Sequence, residues 1–176
     1  MAIVQGWLSF ATRCPSPHFD QRPAAAVVDL LIVHSISLPR GVFHTPYVHD
    51  LFLGQLAVNA HPELALLASL KVSAHVLIDR DGVVTQFVSF DHRAWHAGVS
   101  EFQGRKKCND FSIGIELEGA DDIPYEDVQY AALNDIIRLL DEHYPIKHVV
   151  GHCDVAPGRK TDPGAAFDWA KLRKKR

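Results

Sequence analysis

Three absences limit the classes of protein to which this chain can belong. The 176-residue sequence has no apolar run approaching the roughly 20 residues that a membrane-spanning helix needs. Its 18 basic residues do not outnumber its 21 acidic ones, so no overall positive field favours nucleic acid or anionic lipid as a partner. Residues 1–8 lack the basic start and the apolar run of a signal peptide. We therefore expect a cytoplasmic protein with no membrane and no nucleic-acid partner.

Cysteine is scarce as well. Cys14, Cys108 and Cys153 are odd in number and widely spaced, which argues against a disulfide framework and favours a reducing compartment. The sequence also has no internal repeat and no low-complexity linker. With 47% apolar residues, it suits a single domain over residues 1–176, large enough to bury roughly 70% of the surface that its unfolded chain exposes.

Short apolar runs indicate several strands. Residues 27–33 form a nearly continuous aliphatic run, which predicts a strand covered on both faces and ending at His34. Residues 73–79 and 83–88 flank a glycine-containing turn and predict an antiparallel hairpin. Residues 147–150 predict a brief strand that continues into a loop.

A fifth run, residues 111–117, alternates large apolar residues with small or polar ones. The alternation places Glu116 on the face opposite Ile113 and Ile115, so that face is expected to be polar or functional.

Helical periodicity fills the intervals between the strands. An amphipathic helix is predicted over about 125–143, with an apolar stripe of Val128, Ala132, Ile136 and Leu139 or Leu140. Shorter helices are predicted over residues 47–56 and 62–70. Mixed strand directions with interposed helices predict an α+β (mixed α/β) fold, in which helices flank a central mixed sheet.

The loop over residues 151–164 concentrates reactive side chains. It holds the imidazole of His152, the ammonium of Lys160 and the carboxylate of Asp162, where no helical or strand period accounts for them. His34 would complete a set of two histidines and one carboxylate, which suits zinc and leaves a fourth coordination position for water. Such an open position is typical of a catalytic metal.

The same residues also have ordinary explanations. Each histidine can bond to backbone, and Asp162 can form a turn before a proline; spacing alone does not show that His34 meets the others. His148 and His152 form a rival pair, although a strand running into a loop would make them diverge. Cys153 beside His152 is a further alternative, as the nucleophile of a cysteine-based amide hydrolysis, although adjacent residues on an extended segment point apart.

Five segments carry a resemblance to a known enzyme family. They are LIVHSISLP (31–39), VSAHVLI (72–78), RAWHAGV (93–99), CNDFSIGIELEG (108–119) and GHCDVAPGRKTDPG (151–164). Together they resemble the AmpD-type cytoplasmic amidases of the zinc-dependent N-acetylmuramoyl-L-alanine amidase family, which also includes phage lysozyme-like amidases and peptidoglycan recognition proteins. The resemblance extends over about residues 6–169 and leaves the basic tail, residues 171–176, without an assigned role.

The resemblance implies a zinc amidase domain that binds one zinc ion per chain. His34, His152 and Asp162 fall where the family holds its metal, Glu116 where it places a catalytic carboxylate, and Lys160 where it places a cationic stabiliser. The family cleaves the amide between the lactyl group of muramic acid and L-alanine. AmpD-type members prefer anhydromuramyl peptides returned to the cytoplasm during wall recycling. The expected partner is a small muropeptide, with no obligate protein partner. The alternatives are an amidase that acts on intact peptidoglycan and a non-catalytic peptidoglycan-binding module, although such modules typically lose a metal ligand and all three ligand positions are filled here.

The resemblance also changes the interpretation of residues that would otherwise be structural. Trp95 alone suggests a core residue and Asn109 a turn, but the resemblance makes them contacts for a sugar ring and for polar substrate groups. A run of basic residues, with Lys71 and Lys107 favoured over Arg105 and Lys106, is a candidate rim for the carboxylates of the peptide stem. The expected substrate contacts are Trp95, Asn109, Lys71, Lys107, Phe111, Ser35 and Ala156.

Several positions depart from the family pattern. Ser35 stands where AmpD-type proteins generally carry asparagine, and Lys71 and Lys107 stand where arginines are expected. A lysine does not reproduce the bidentate binding of a carboxylate. We therefore expect the metal chemistry to survive and the preference for peptide stems to shift. His75 is either a hydrogen-bond partner of a metal ligand or an ordinary histidine of the hairpin.

Overall fold

The computed structural model describes residues 1–57, 59 and 61–173; residues 174–176 of the basic tail lie outside this range. The strands, in chain order, are β1 (Ile3–Val4), β2 (Trp7–Leu8), β3 (Thr12–Arg13), β4 (Phe19–Gln21), β5 (Leu30–Ile36), β6 (Val76–Ile78), β7 (Val84–Gln86), β8 (His92–Ala94), β9 (Glu101–Phe102), β10 (Arg105–Lys106), β11 (Ser112–Glu118) and β12 (His148–Gly151). The α-helices are α1 (Tyr47–Leu53), α2 (Asp127–His143) and α3 (His152–Val155), and single 3₁₀ turns lie at Pro62–Leu64, Cys108–Asp110 and Trp169–Lys171. None of the helices in the described ranges has the length and apolar character needed to cross a bilayer.

Six strands form the central sheet, in the order β12-β5-β11-β6-β7-β3. The first four run parallel, and β7 is antiparallel to β6. The register pairs Glu116 with His34 and Gly151 with Val33, so that His152 follows β12 at the level of His34. Three neighbouring strands thus bring predicted site residues to one edge of the sheet, and the predicted α+β fold is confirmed.

The two faces of the sheet differ in chemistry. Ile113, Ile115 and their neighbours in β5 pack against α2 in the largest apolar cluster, where each fully buried aliphatic side chain contributes about 1.5–3 kcal/mol. His34 and Glu116 lie on the opposite face, because strand side chains alternate and these two residues are in register. The predicted position of Glu116 opposite Ile113 and Ile115 is confirmed.

The long predicted helix is present, but its apolar stripe differs from the prediction. A capping box at Glu126 and Gln129 starts α2, so Val128 falls in the first turn and is 50% exposed. Gln129 is buried in its place, and its amide donates to the carbonyls of Ile78 and Glu118. The prediction of Val128 as a core residue is therefore wrong.

Two other boundaries also differ from the predictions. The strand predicted over 27–33 is β5, which runs from Leu30 to Ile36, so His34 lies within the strand and not after it. The helix predicted over 62–70 is wrong, because only Pro62–Leu64 forms a single 3₁₀ turn and Leu66 is 85% exposed. That segment has no continuous apolar face to pack as a helix.

The predicted hairpin and the first short helix are both present, although their strands and helix are shorter than predicted. β6 and β7 pair in antiparallel register around the turn that contains Gly82. Helix α1 ends at Gly54, whose φ of 68° is left-handed and suits glycine at a helix end.

Candidate metal centre and catalytic cavity

Three ligand atoms converge at the carboxyl edge of the sheet. His34 Nδ1 lies 2.9 Å from His152 Nδ1, and Asp162 Oδ2 lies 3.0 Å from His152 Nδ1 and 3.3 Å from His34 Nδ1. Ligand atoms about 2.0–2.1 Å from a tetrahedral zinc ion lie about 3.3 Å apart, close to these separations. Within residues 1–57, 59 and 61–173, no other group of three histidine, cysteine or carboxylate side chains comes together in this way.

The outward-facing ring nitrogens indicate how the two histidines are protonated. His152 Nε2 lies 3.1 Å from the carbonyl oxygen of Ala97, which only accepts, so this nitrogen carries the proton and Nδ1 keeps its lone pair. His34 Nε2 lies 2.9 Å from His96 Nδ1, and His96 Nε2 lies 3.3 Å from Ser112 Oγ. A proton on His34 Nε2 satisfies this chain and leaves Nδ1 free. The three acceptor atoms that face one another therefore fit a bound cation.

Asp162 reaches the histidines because its loop folds back on α3. The N–H of Cys153 donates to the carbonyl of Asp162 over 3.0 Å, and Thr161 Oγ1 donates to Asp121 Oδ2 over 2.6 Å. Gly164 closes the loop with a φ of 80°, and a Cβ there would lie 2.1 Å from Asp121 Cα, so only glycine fits. These bonds fix the carboxylate opposite the end of β5.

The electrostatics of the cluster favour the protonation states that ligands need. Burial lowers the pKa of His34 to about 4, which keeps its imidazole neutral. Burial opposes ionisation of Asp162, but the close polar contacts with the rings of His152 and His34 outweigh it and hold the pKa of this carboxyl well below its usual range. A neutral imidazole and an ionised carboxylate are the forms that bind a metal ion.

Glu116 is a buried carboxyl beside this cluster. Its Oε1 lies 4.0 Å from His34 Nδ1, and its Oε2 has no hydrogen-bond partner among the described residues. Burial, and then the negative charge of Asp162, raise the pKa of Glu116 well above its ordinary value, while Lys160 acts in the opposite direction. A carboxyl with a raised pKa at the base of a cavity suits proton transfer near neutral pH.

A cavity of about 220 Å³ opens over these groups. It brings together four predicted site residues that the chain separates widely: Trp95, Glu116, His152 and Asp162. Predicted Lys160 and Ser35 are also among its lining residues, which are Ser35, Ile36, Leu38, Leu51, Phe52, Leu67, Leu70, Val72, Ser73, Trp95, His96, Glu116, His152, Lys160 and Asp162. The apolar members come mainly from α1 and the segment after it.

The other predicted substrate residues lie outside this cavity. Lys107 and Ala156 line a neighbouring cavity of about 600 Å³. Asn109 uses its side-chain oxygen to accept hydrogen bonds from backbone, and Phe111 packs in an apolar cluster beneath the guanidinium of Arg105. Lys71 is exposed and lines neither cavity.

Two alternatives from the sequence have little support. His148 lies on β12 against the ring of Phe102, away from the converging ligand atoms. Burial raises the pKa of the Cys153 thiol, and the negative charges of Asp154 and Asp162 raise it further. The thiolate that a cysteine nucleophile needs is therefore disfavoured.

His96 is a site residue that the sequence analysis did not identify. His75, which was considered as a partner of a metal ligand, instead accepts from the N–H of Gly114. His96 occupies that role, because its ring lies over Gly114 and contacts His34. A glycine inside an otherwise large-residue strand often marks a close approach, and Gly114 was the available signal.

Comparison with known proteins identifies amidases as relatives of this chain. A family model described as N-acetylmuramoyl-L-alanine amidase matches residues 24–165. The chain is 57% identical over 175 residues to the 1,6-anhydro-N-acetylmuramyl-L-alanine amidase AmpD of Escherichia coli (strain K12), spanning 98% of this chain and 96% of the relative. A crystal structure of a selenomethionine AmpD derivative matches with a TM-score of 0.96 at 55% identity, over 98% of this chain and 97% of that chain. The AmiD amidase from E. coli, in complex with the substrate anhydro-N-acetylmuramic acid-L-Ala-D-gamma-Glu-L-Lys, matches with a TM-score of 0.60 at 29% identity, over 86% of this chain and 59% of that chain.

Proposed function

Since the chain belongs to the N-acetylmuramoyl-L-alanine amidase family, we propose that it hydrolyses the amide between the lactyl group of 1,6-anhydro-N-acetylmuramic acid and L-alanine in free muropeptides. The family predicted from the sequence motifs is confirmed. The observation that carries the proposed reaction is the convergence of His34, His152 and Asp162 beside the buried carboxyl of Glu116, where His152, Asp162 and Glu116 line one cavity. The name of the E. coli relative specifies the 1,6-anhydro form of the substrate.

We assign one zinc ion per chain to His34 Nδ1, His152 Nδ1 and Asp162 Oδ2. Two neutral imidazoles and one carboxylate are a donor set that zinc prefers in catalytic sites. When bound, zinc supplies a Lewis acid that polarises a carbonyl oxygen and lowers the pKa of a water molecule to about 7. The three side chains hold their ligand atoms in place through the hydrogen bonds described above, so little reorganisation is needed.

Glu116 is the proposed general base and acid. Its carboxylate takes a proton from the attacking water and then delivers that proton to the nitrogen of the departing L-alanine. The unpartnered Oε2 and the raised pKa support this role, because no hydrogen-bond donor among the described residues holds that oxygen. Proton transfer of this kind contributes typically about 10²- to 10⁴-fold to the rate.

Lys160 is the proposed stabiliser of the tetrahedral oxyanion. Its side chain lines the same cavity as Glu116 and Asp162, and its charge acts on the pKa of Glu116. An ammonium ion at this position places positive charge where negative charge develops on the carbonyl oxygen.

Substrate contacts follow from the two neighbouring cavities. Trp95 and Ser35 line the catalytic cavity and are proposed to contact the sugar and the lactyl group. Lys107 and Ala156 line the adjacent larger cavity, which we assign to the peptide stem. Lys71 is exposed and lies between the cavity-lining residues Leu70 and Val72, and we propose that its ammonium attracts a stem carboxylate.

We further propose that the protein acts in the cytoplasm, on muropeptides recycled from the cell wall. Cys14, Cys108 and Cys153 are all free thiols, as expected in a reducing compartment. The E. coli relative, whose name specifies a 1,6-anhydromuramyl substrate, matches this chain over 96% of its own length.

The test is product analysis by mass spectrometry on an anhydromuramyl peptide and on intact sacculi in parallel. We expect release of the L-alanine-terminated peptide from the small substrate, loss of activity with a chelator and recovery with zinc. Activity confined to sacculi would overturn the recycling assignment.

An Asp162→Ala variant tests the ligand assignment, with Asp122→Ala, at an exposed carboxylate, as the matched control. Full activity and stoichiometric zinc in Asp162→Ala would refute it.

A further inference from the structure

The two proposed histidine ligands are held from outside by neighbouring residues of one short segment. His34 Nε2 donates to His96 Nδ1 over 2.9 Å, and His152 Nε2 donates to the carbonyl of Ala97 over 3.1 Å. These bonds define which ring nitrogen of each histidine faces the metal centre. The position of residues 96–97 therefore sets the orientation of both rings.

Asn109 holds this segment through its side chain. Its Oδ1 accepts a hydrogen bond from the backbone N–H of His96 over 3.2 Å and from that of Ala97 over 2.8 Å. One carboxamide oxygen thus accepts hydrogen bonds from two consecutive peptide groups. Both peptide groups are therefore restrained in orientation by the same side chain.

The asparagine itself is rigidly placed. It lies in the 3₁₀ turn Cys108–Asp110, and its backbone carbonyl accepts from the guanidinium of Arg22 over 3.0 Å. Arg22 also donates to the carbonyl of Asp110 over 3.2 Å. A half-buried cation that bonds to two consecutive carbonyls anchors the turn, and this holds the Asn109 side chain in position.

We propose that Asn109 is a positioning residue of the metal centre, which orients His34 and His152 by fixing the backbone of His96 and Ala97. The inference rests on the proposed zinc function. It differs from a substrate-contact role for Asn109, in which the amide N–H groups would donate to the ligand. Loss of a partner that orients a metal-binding histidine typically weakens metal affinity about 10- to 100-fold.

Two substitutions at this position separate the two roles. Asn109→Leu removes the acceptor, whereas Asn109→Asp keeps an acceptor oxygen at the same position, removes the amide donors and adds one negative charge. Asn134→Leu is the matched control, because Asn134 lies on α2 and its side chain also bonds backbone, at Lys171 and Arg173.

The measurement is zinc affinity of the metal-stripped full-length chain, by competition with a chromophoric chelator, together with the absorption spectrum of the cobalt-substituted protein. We expect Asn109→Leu to bind zinc about 10- to 100-fold more weakly and to alter the cobalt spectrum. Asn134→Leu is expected to bind zinc like the unaltered protein, and Asn109→Asp at least as tightly, because its added negative charge attracts the cation.

Unchanged zinc affinity in Asn109→Leu would overturn the inference, and so would equal weakening in Asn109→Asp. Absence of zinc binding in the unaltered protein would instead overturn the metal assignment itself.

If circular dichroism shows that Asn109→Leu does not fold, His96→Phe tests the same linkage, because it keeps a planar ring but removes the acceptor for His34. Full zinc affinity in a folded His96→Phe would overturn the inference.

Discussion

Gly114 in the middle of β11 offers a sharp test of how the metal centre is built. A Cβ at this position would lie 2.4 Å from both Cγ and Nδ1 of His96, whereas ordinary contacts of a Cβ begin at 3.4 Å. The strand is hydrogen-bonded on both sides, to β5 and to β6, so the imidazole and not the backbone must move. Gly114→Ala should therefore push the His96 ring by about one ångström and break its contact with His34.

The expected magnitude follows from three opposing effects. Overpacking of a buried site costs about 1–3 kcal/mol, and loss of the His34–His96 hydrogen bond costs about 0.5–1.5 kcal/mol more. Alanine loses less chain entropy on folding than glycine, and this difference stabilises the variant by about 0.5–1 kcal/mol. We expect Gly114→Ala to lower the free energy of unfolding of the metal-free protein by about 2 kcal/mol and to weaken zinc binding about 10- to 100-fold.

The assay is urea unfolding of four proteins: unaltered, Gly114→Ala, His96→Ala and the double variant. Once the ring of His96 is removed, the added methyl group has room, so Gly114→Ala should cost much less in that background. The coupling free energy should fall within the range of about 0.5–3 kcal/mol found for residues in contact.

Gly104→Ala serves as the control, because a Cβ there meets nothing within 4 Å although the φ of 77° is strained. Its cost should not depend on His96. An equal cost of Gly114→Ala in both backgrounds would refute the steric argument.

Three further predictions concern activity and pH. Glu116→Gln should lower the rate about 10²- to 10⁴-fold while zinc still binds, and a retained rate would exclude Glu116 as the proton carrier. Lys160→Met should lower kcat about 10²- to 10³-fold with little change in zinc affinity, measured by steady-state kinetics and chelator competition. A hydrogen bond from Arg93 lowers the pKa of Asp20, so this carboxylate stabilises the fold above its unfolded pKa of about 3.9 and loses that effect as pH falls through its folded pKa. Because Asp20 is partly exposed, Asp20→Asn should cost less than about 1 kcal/mol at pH 7 and nothing in strong acid, as measured by urea unfolding at both pH values.

Local sequence patterns were sufficient to predict the strands and helices whose apolar residues recur with a clear period. Alternation in residues 111–117 correctly placed Glu116 away from the apolar face, because side chains of a strand alternate whatever surrounds them. The pattern failed for residues 62–70, where apolar residues are present but no face packs continuously against the core. The amphipathic helix was found, yet its first turn was misjudged, because a capping residue and not hydrophobicity determines where a helix starts.

The sequence by itself determined which reactive side chains were candidates, through the composition of residues 151–164 and the motifs that resemble one family. It did not show that His34, His152 and Asp162 meet, because that depends on the parallel register of β5 and β12 and on a loop that folds back through backbone hydrogen bonds. The proposed roles of His96 and Asn109 likewise rest on contacts that only the tertiary structure shows. A buried polar group takes whichever partner the fold brings within about 3 Å, and chain spacing does not encode that choice.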